Sequence, residues 1–384
     1  MSKSQIVTGG IADDAVTANK TSGVARPNVN PLIINGDMAV AQRGTSVTGI
    51  TGNGVTTLDR MYNAISGIGT YTVAQEAQTS GNAFANGFAN AYRLDCTVAD
   101  ASPAAADYLY LQYNFEGQDL QLFKKGTANA EKFTLAFWVK SNKTGTGNIE
   151  LKDKDNSNRQ CTQSYTISSA DTWEHKVCVF GADTTGAFGD DNGKSLNINW
   201  WLGSGTDYSS GTANHGVWEA QDNTKANSGG TLNINDNTAN DWSITGIQLE
   251  VGEYTSDTLP PFQHESFGDN LARCCRYFFY TGGGAAYQHH GTGVEVSSTA
   301  AYINISIPSV LRTSPSVTVE DTLVVFDGNS ESAITSLGTT SYSSKGIIVN
   351  QAVTCSGGGL DDGNGCTVYS SADSSSGFLI DAEL

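Results

Sequence analysis

At 384 residues and 40.4 kDa the chain exceeds one ordinary domain and suits two. Its 21 basic residues against 39 acidic ones leave a net charge of −18 with no Lys/Arg cluster, which argues against nucleic acid and anionic lipid as partners. A 38% hydrophobic content with 15 Tyr, 14 Phe and 6 Trp excludes wholesale disorder, and 43 Gly against 7 Pro points to a turn-rich β-protein without a Pro-rich stalk.

Residues 1–30 are small and polar, with neither helical nor strand periodicity, and read as an extended N-terminal arm that takes its order from a partner. The opening MSKSQIVTGG has one Lys and no apolar core, unlike a secretory signal. No apolar stretch approaches the ~20 residues of a membrane span. Folding in a cytosol and no membrane insertion are therefore expected.

Residues 31–262 carry short alternating segments between Gly/Asn/Asp clusters: TYTVAQEA, YLYLQYNF, FTLAFWVKS, GNIELKDK, QSYTIS, EHKVCVFG, LNINWWLG and WSITGIQLEV. Each reads as a half-buried strand. In FTLAFWVK, Phe133, Leu135, Phe137 and Val139 share one face; in LNINWW, Leu196, Ile198 and Trp200 oppose Asn197, Asn199 and Trp201. Many such strands without a long helix suit a jelly-roll β-sandwich. Residues 263–280 differ. Ser266 can cap a helix with Asp269 three residues on, and Leu271, Ala272, Cys275 and Phe279 fall at helical spacing, so a short linking helix over 267–279 is expected. Residues 281–384 return to strand candidates and read as a C-terminal β-sandwich, with Phe378–Leu379–Ile380 as a last strand or a docking patch. The expected class is all-β.

Catalytic signatures are missing: no G-x-S-x-G, H-E-x-x-H or P-loop occurs. TGGGAA at Gly282–Gly284 is a turn. Among 39 acids nothing singles out the carboxylate pair of a glycosidase. Asp153, Asp155 and Ser157 resemble the start of a calcium loop, but Asn158 and Ser164 stand where Gly and Glu belong, so this stretch reads as a solvated turn. No enzyme activity, cofactor or metal is expected. The seven cysteines lack any C-x-x-C and are expected as buried free thiols. Cys355 and Cys366 differ in bracketing SGGGLDDGNG and would form a disulfide if their strands pair.

All six Trp lie in the first β region. Trp and Tyr faces stack on sugar rings while Asn, Gln and Asp bond the hydroxyls. Trp200 and Trp242 share faces with Ile198 and Ile244 and belong to the core. Trp201 and Trp138 lie on the opposite faces of their strands. Trp218, in the polar loop NHGVWEAQDN, is the leading candidate platform, with His215 beside it.

The segments NPLIINGDMAVAQRGTS, LDRMY, FTLAFWVKSNKTGTGNIEL, LNINWWLGSGTDY and DWSITGIQLEVGEYTSDTLPPFQHESFGDNLARCCRYF, in that order over about 30–280, resemble tail-fibre and other appendage proteins of bacteriophages, especially those of marine bacteria. INGDMAVAQRG, ITGIQLEVG and DNLARCCRYF carry most of the likeness. The resemblance implies a carbohydrate-binding-type jelly roll, a homotrimer, virion tail or adaptor partners, recognition of a host surface glycan, and assembly in the host cytoplasm. ADDAVTANK is similar to segments near the start of phage fibres, which implies virion attachment through Ile11, Asp13, Asp14 and Val16. The leading expectation is a non-enzymatic receptor-binding fibre. The alternatives are a polysaccharide-degrading tailspike and a purely structural capsid fibre or tail adaptor.

Overall fold

The computed structural model describes residues 31–371 and 374–384; Ile11, Asp13, Asp14 and Val16 lie outside them. The first unit contains β1 (Ser46–Ile50), β2 (Gly54–Val55), β3 (Tyr62–Ser66), β4 (Thr70–Ala77), β5 (Asn90–Val98), β6 (Tyr108–Glu116), β7 (Phe133–Ser141), β8 (Gly145–Asp153), β9 (Gln160–Ile167), β10 (Glu174–Phe180), β11 (Lys194–Ser204) and β12 (Asp241–Val251). They form two six-stranded antiparallel sheets, ordered β1-β4-β5-β12-β7-β10 and β2-β3-β6-β11-β8-β9. Period-2 alternation sends one set of side chains from each sheet into a shared core, giving a jelly-roll sandwich. Phe133, Leu135, Phe137, Val139, Leu196, Ile198, Trp200 and Trp242 are all fully buried there, as their spacing predicts. Phe123 stacks on Phe133 at 3.8 Å between ring centroids, and Trp200 meets Phe137 edge-on.

In the turn after β8, expected to be solvated, Asp155 and Ser157 are exposed but Asp153 is not. Asp153 is fully buried and its carboxylate binds the ammonium of Lys125, which is also fully buried. Asp183 approaches the same nitrogen at 3.1 Å, and the carbonyls of Thr185 and Gly186 accept from it at 3.0 and 2.8 Å. The ammonium further lies 5.1 Å from the Trp218 ring and 5.2 Å from the Phe188 ring. A side-chain cation is thus the partner of Asp153, at the place where spacing had suggested a calcium loop.

A helix follows at Phe267–Cys274, where Ser266 Oγ accepts from the Asp269 backbone N–H. It stops a turn earlier than its periodicity suggests. Phe278–Tyr280 is instead strand β13, paired in register with Phe278 opposite Asp381. The second unit continues with β14 (His289–Ser297), β15 (Ala300–Ser306), β16 (Ser316–Glu320), β17 (Leu323–Phe326), β18 (Glu331–Tyr342), β19 (Ile348–Cys355), β20 (Gly365–Ser370) and β21 (Gly377–Asp381). Here the sheet closes: β14-β15-β19-β18-β17-β20 is a barrel, backed by the three-stranded sheet β13-β21-β16. Closure removes the edges an open sheet would expose. Gly293 permits the close approach, since a Cβ there would lie 2.0 Å from the Tyr302 carbonyl. Phe378 and Ile380 are buried in the core of this unit as part of the last strand, β21. Cys355 and Cys366 sit on β19 and β20, which are not neighbours in the barrel, and all seven cysteines are free and buried. The disulfide expectation is corrected: each thiol faces the barrel core, and burial pushes both up to about 11.

The two units are clasped by an arginine network. Arg60, 2% exposed, reaches Glu383 at 2.5 Å and the Asn114 carbonyl at 2.6 Å, with its guanidinium 3.5 Å from the Tyr277 ring. Arg276 grips buried Glu116 with two bonds of 2.7 Å, and Tyr277 donates to the same carboxylate. Arg43 pairs with Asp381 and lies over Phe278. Arg312 donates to the Ala382 and Glu383 carbonyls.

The most distinctive sequence segments meet at this junction. The Asn35 side chain bonds Val40 N–H and the Val40 and Asp59 carbonyls, its backbone N–H donates to Asn270, and Asn270 donates to Asp37. Ile247 N–H donates to the Gly36 carbonyl, and a Cβ on Gly36 would lie 2.3 Å from the Ile247 oxygen.

Lys125→Met leaves Asp153 without a cation and Asp183 with Arg159 alone. It should lower stability by about 3–5 kcal/mol in urea unfolding, the cost of breaking a buried pair from one side. Burial pushes Asp59 up to about 6, against the opposing Gln42 bonds and Arg43 charge. Its folded pKa lies above its unfolded value, so its contribution to stability grows as pH falls through 6 toward 4. Melting temperatures between pH 8 and 5 should therefore rise on acidification less in Asp59→Asn than in the parent.

Candidate functional site

The outward faces of β3, β6, β11, β8 and β9 form a grid. One cross-sheet row runs Tyr62–Gln112–Asn199–Glu150–Thr162, and its neighbour runs Ala64–Tyr110–Trp201–Asn148–Ser164. Strand alternation sets this arrangement, because each residue is two positions from its neighbour on the same face. Apart from Ala64 the outward side chains of these rows are polar or aromatic, and most are hidden from water. Glu150 is fully buried, and Asn199, Asn197 and Gln112 are 2–7% exposed.

Part of the cover comes from the loop after β11. Tyr208 lies in its first turn, and Asn227 N–H donates to the Tyr208 carbonyl. Gln160 on β9, fully buried, clamps the same loop farther on by exchanging two hydrogen bonds of 3.0 Å with the Asp222 backbone. These ties bring Gln221 and Asn223 over the sheet. Between loop and sheet remains a cavity of about 280 Å³. Its size lies just below the usual range for ligand clefts, roughly 300–1,000 Å³.

One end of the cleft is aromatic. Trp201 packs against Tyr110 at 4.6 Å and Tyr208 at 5.2 Å between centroids, and Tyr108 packs on both tyrosines. Trp201 itself is 3% exposed, so the tyrosines present the accessible ring faces and the indole backs them. Burial raises the Tyr110 and Tyr208 phenols, which therefore stay protonated donors at neutral pH. The floor is a hydrogen-bonded chain: Gln112 donates to Asn199 at 2.8 Å, and Asn199 and the Trp201 indole both donate to Glu150 Oε2, at 2.9 and 3.3 Å. Glu150 Oε1 faces Lys152 at 3.3 Å. Asn197 Oδ1, also lining the cleft, is buried with no hydrogen-bond partner in the protein. A buried acceptor left open costs about 1–3 kcal/mol, which a ligand hydroxyl would relieve.

The sequence candidates scatter. Trp201 lies in this cleft. Trp138 is half-buried on the outer face of the other sheet, tilted against His175 at 4.9 Å between ring centroids. Trp218 is not a platform: it is 8% exposed, donates its indole N–H to the Gly181 carbonyl at 2.8 Å and roofs the Lys125 ammonium. A polar loop surrounds it in sequence because its partner is a buried charge. His215 is exposed and shares a hydrogen bond with Thr162 at the β9 end of the first row. Tyr110, Tyr208, Asn197 and Glu150 were missed. The alternation in YLYLQYNF and LNINWW carried the signal, since both strands place amides and rings on the face away from the core.

No protein-family model and no curated protein matches the chain. Among solved structures, the enzymatically active domain of tailspike protein 4 of bacteriophage CBA120 is similar over 58% of this chain, at 12% identity and a TM-score of 0.28, and the match spans about a fifth (21%) of the tailspike chain. A putative sugar-binding protein from Bacteroides thetaiotaomicron is similar over 58% of this chain and 100% of its own, at 13% identity and a TM-score of 0.30. The xylan-binding domain of family 22 is similar over 55% and 97%, at 11% identity and a TM-score of 0.27. With TM-scores this low, the functional reading rests on the residues of the cleft.

Asn197→Ala should leave the unfolding midpoint in urea unchanged or raised, against the ~1 kcal/mol loss typical of a substitution. The reason is that it removes an unpaired buried amide oxygen. A loss above 1 kcal/mol would show that Asn197 serves the fold.

Proposed function

We propose that the chain is a non-enzymatic, glycan-binding appendage protein of a phage virion, a tail fibre or receptor-binding protein that meets the host surface. The observation that carries the glycan reading is the cleft over β6, β11 and β8. It combines accessible Tyr faces, a row of fixed amides and an open acceptor on Asn197. Apolar sugar faces and their hydroxyls need that combination. Glu150 is the one carboxylate among the residues lining the cleft, and it is already bonded to Asn199 and Trp201. Glycoside hydrolysis usually works with two carboxylates, so binding without cleavage is the better-supported reading than a tailspike enzyme.

The virion role is supported by the resemblance of the segments that meet at the junction. A homotrimer would present several weak sugar sites at once and raise effective affinity by orders of magnitude. Assembly in the host cytoplasm agrees with seven unpaired cysteines.

Affinity electrophoresis through gels containing bacterial surface polysaccharides tests the binding site. The parent protein should be retarded by at least one polysaccharide, and Tyr110→Ala with Tyr208→Ala should reduce retardation about tenfold or more, since each ring supplies roughly 1 kcal/mol of stacking. Oligosaccharide release during the run would favour the tailspike reading. Retardation untouched by the double substitution would move the site elsewhere.

A further inference from the structure

The far end of the same cleft is cationic, in a chain with a net charge of −18. Lys152 and Lys154 line it, and Lys154 backbone N–H donates to the Ser195 carbonyl, which brings Lys194 alongside. Lys152 contacts Glu150, whereas Lys154 and Lys194 have no ion-pair partner among the described residues; the Lys154 ammonium bonds only the neutral Asn158 amide.

The carboxylates nearby in the chain and on the paired strands are committed elsewhere. Glu116 is held by Arg276 and Tyr277, Glu383 by Arg60, and Asp153 by Lys125. Asp155 accepts from Gly189 N–H and Asp191 from Gly193 N–H. The cluster also repels itself. Burial, then Lys154, Arg60 and Arg312, push Lys194 down to about 8 against a smaller opposing pull from Glu383, and burial and Lys152 lower Lys154 against a smaller pull from Glu150. Unpaired ammonium groups held together beside a polar cleft are relieved by an anion.

Resting on the glycan reading of this cleft, we infer that its ligand is an acidic oligosaccharide, a sugar chain bearing carboxylate, sulfate or phosphate groups, with sugar rings at the Tyr110–Tyr208 end and an anionic group at Lys152, Lys154 and Lys194. The length follows from the sheet. The Trp201 level and the Asn197–Lys152 level are four residues apart on β11, roughly 13 Å at ~3.3 Å per residue. That span suits a chain of more than one sugar. The cluster is small and faces a strongly negative remainder, so it selects an anionic group locally without turning the protein into a general polyanion binder.

The test is a set of immobilised glycans in matched pairs: oligogalacturonate with its methyl ester, sulfated with desulfated galactan, and phosphorylated with dephosphorylated mannan. They are probed with the full chain at 50 and 300 mM NaCl. Acidic members of at least one pair should bind about tenfold more tightly than their neutral partners, the size of one charge-assisted hydrogen bond. The preference should shrink at high salt and disappear in Lys154→Gln/Lys194→Gln, with melting temperature measured to show that the variant is folded. Should that variant fail to fold, Lys154→Gln alone serves, with the preference expected to fall severalfold. The pair that responds tells carboxylate from sulfate from phosphate. Equal binding of acidic and neutral members, or a preference unchanged by the substitutions, overturns the acidic class while leaving the glycan site standing. Absence of binding to every member overturns both.

Discussion

Arg60 is the constraint on which the rest of the arrangement depends. It is a buried cation anchored between a carboxylate near the C-terminus of the chain, a carbonyl on β6 and the ring of Tyr277. A charge removed from water has to be matched inside the protein. Each partner of Arg60 comes from a different stretch of sequence, so pairing it brings those stretches together. Glu383 ends the second unit, Asn114 belongs to the sandwich, and Tyr277 follows the linking helix. Arg276, Arg43 and Arg312 repeat the device around the same tail. The positive φ angles of Asn35, Met38 and Arg60 fall in this junction, which indicates that its contacts hold backbone that would otherwise relax.

A rigid junction has a consequence for the cleft. Asn114 and Glu116 end the β6 strand whose earlier residues, Tyr108, Tyr110 and Gln112, line the proposed binding face. The Asn114 side chain donates to the Leu384 carbonyl, and Glu116 is gripped by Arg276. The strand that carries Tyr108 and Tyr110 is thus tied at one end to the second unit. Weak sugar contacts gain most when the groups making them are already in place, because less freedom is lost on binding. Gln160 and its clamp on the covering loop supply the same service from the other edge.

Much of the architecture was legible because it is written locally. The alternation of FTLAFWVK and LNINWW named the core residues and their opposite faces, and Ser266 announced the helix start. The helix end was not legible. Phe279 continues the helical spacing, but pairing of β13 with β21, a hundred residues on, outweighs one more turn of helix. The roles of Trp218 and Asp153 were hidden for a related reason: both are explained by Lys125, which lies in a segment with no periodicity of its own. Cys355 and Cys366 looked poised to pair because a turn-like loop lies between them, yet barrel closure inserts other strands between theirs.

A high Gly content and the recurring alternation of short apolar segments by themselves determined an all-β chain rich in turns, and that alternation determined which side chains leave the core. Both follow from the two-residue repeat of the extended backbone, which any stretch of sequence displays without its neighbours. What lies over an outward face depends on contacts between distant segments. Only the tertiary structure could therefore decide that Asn197, Asn199 and Trp201 floor a cleft, that Trp218 seals a lysine, and that Lys152 and Lys154 line one end of the cleft with Lys194 alongside.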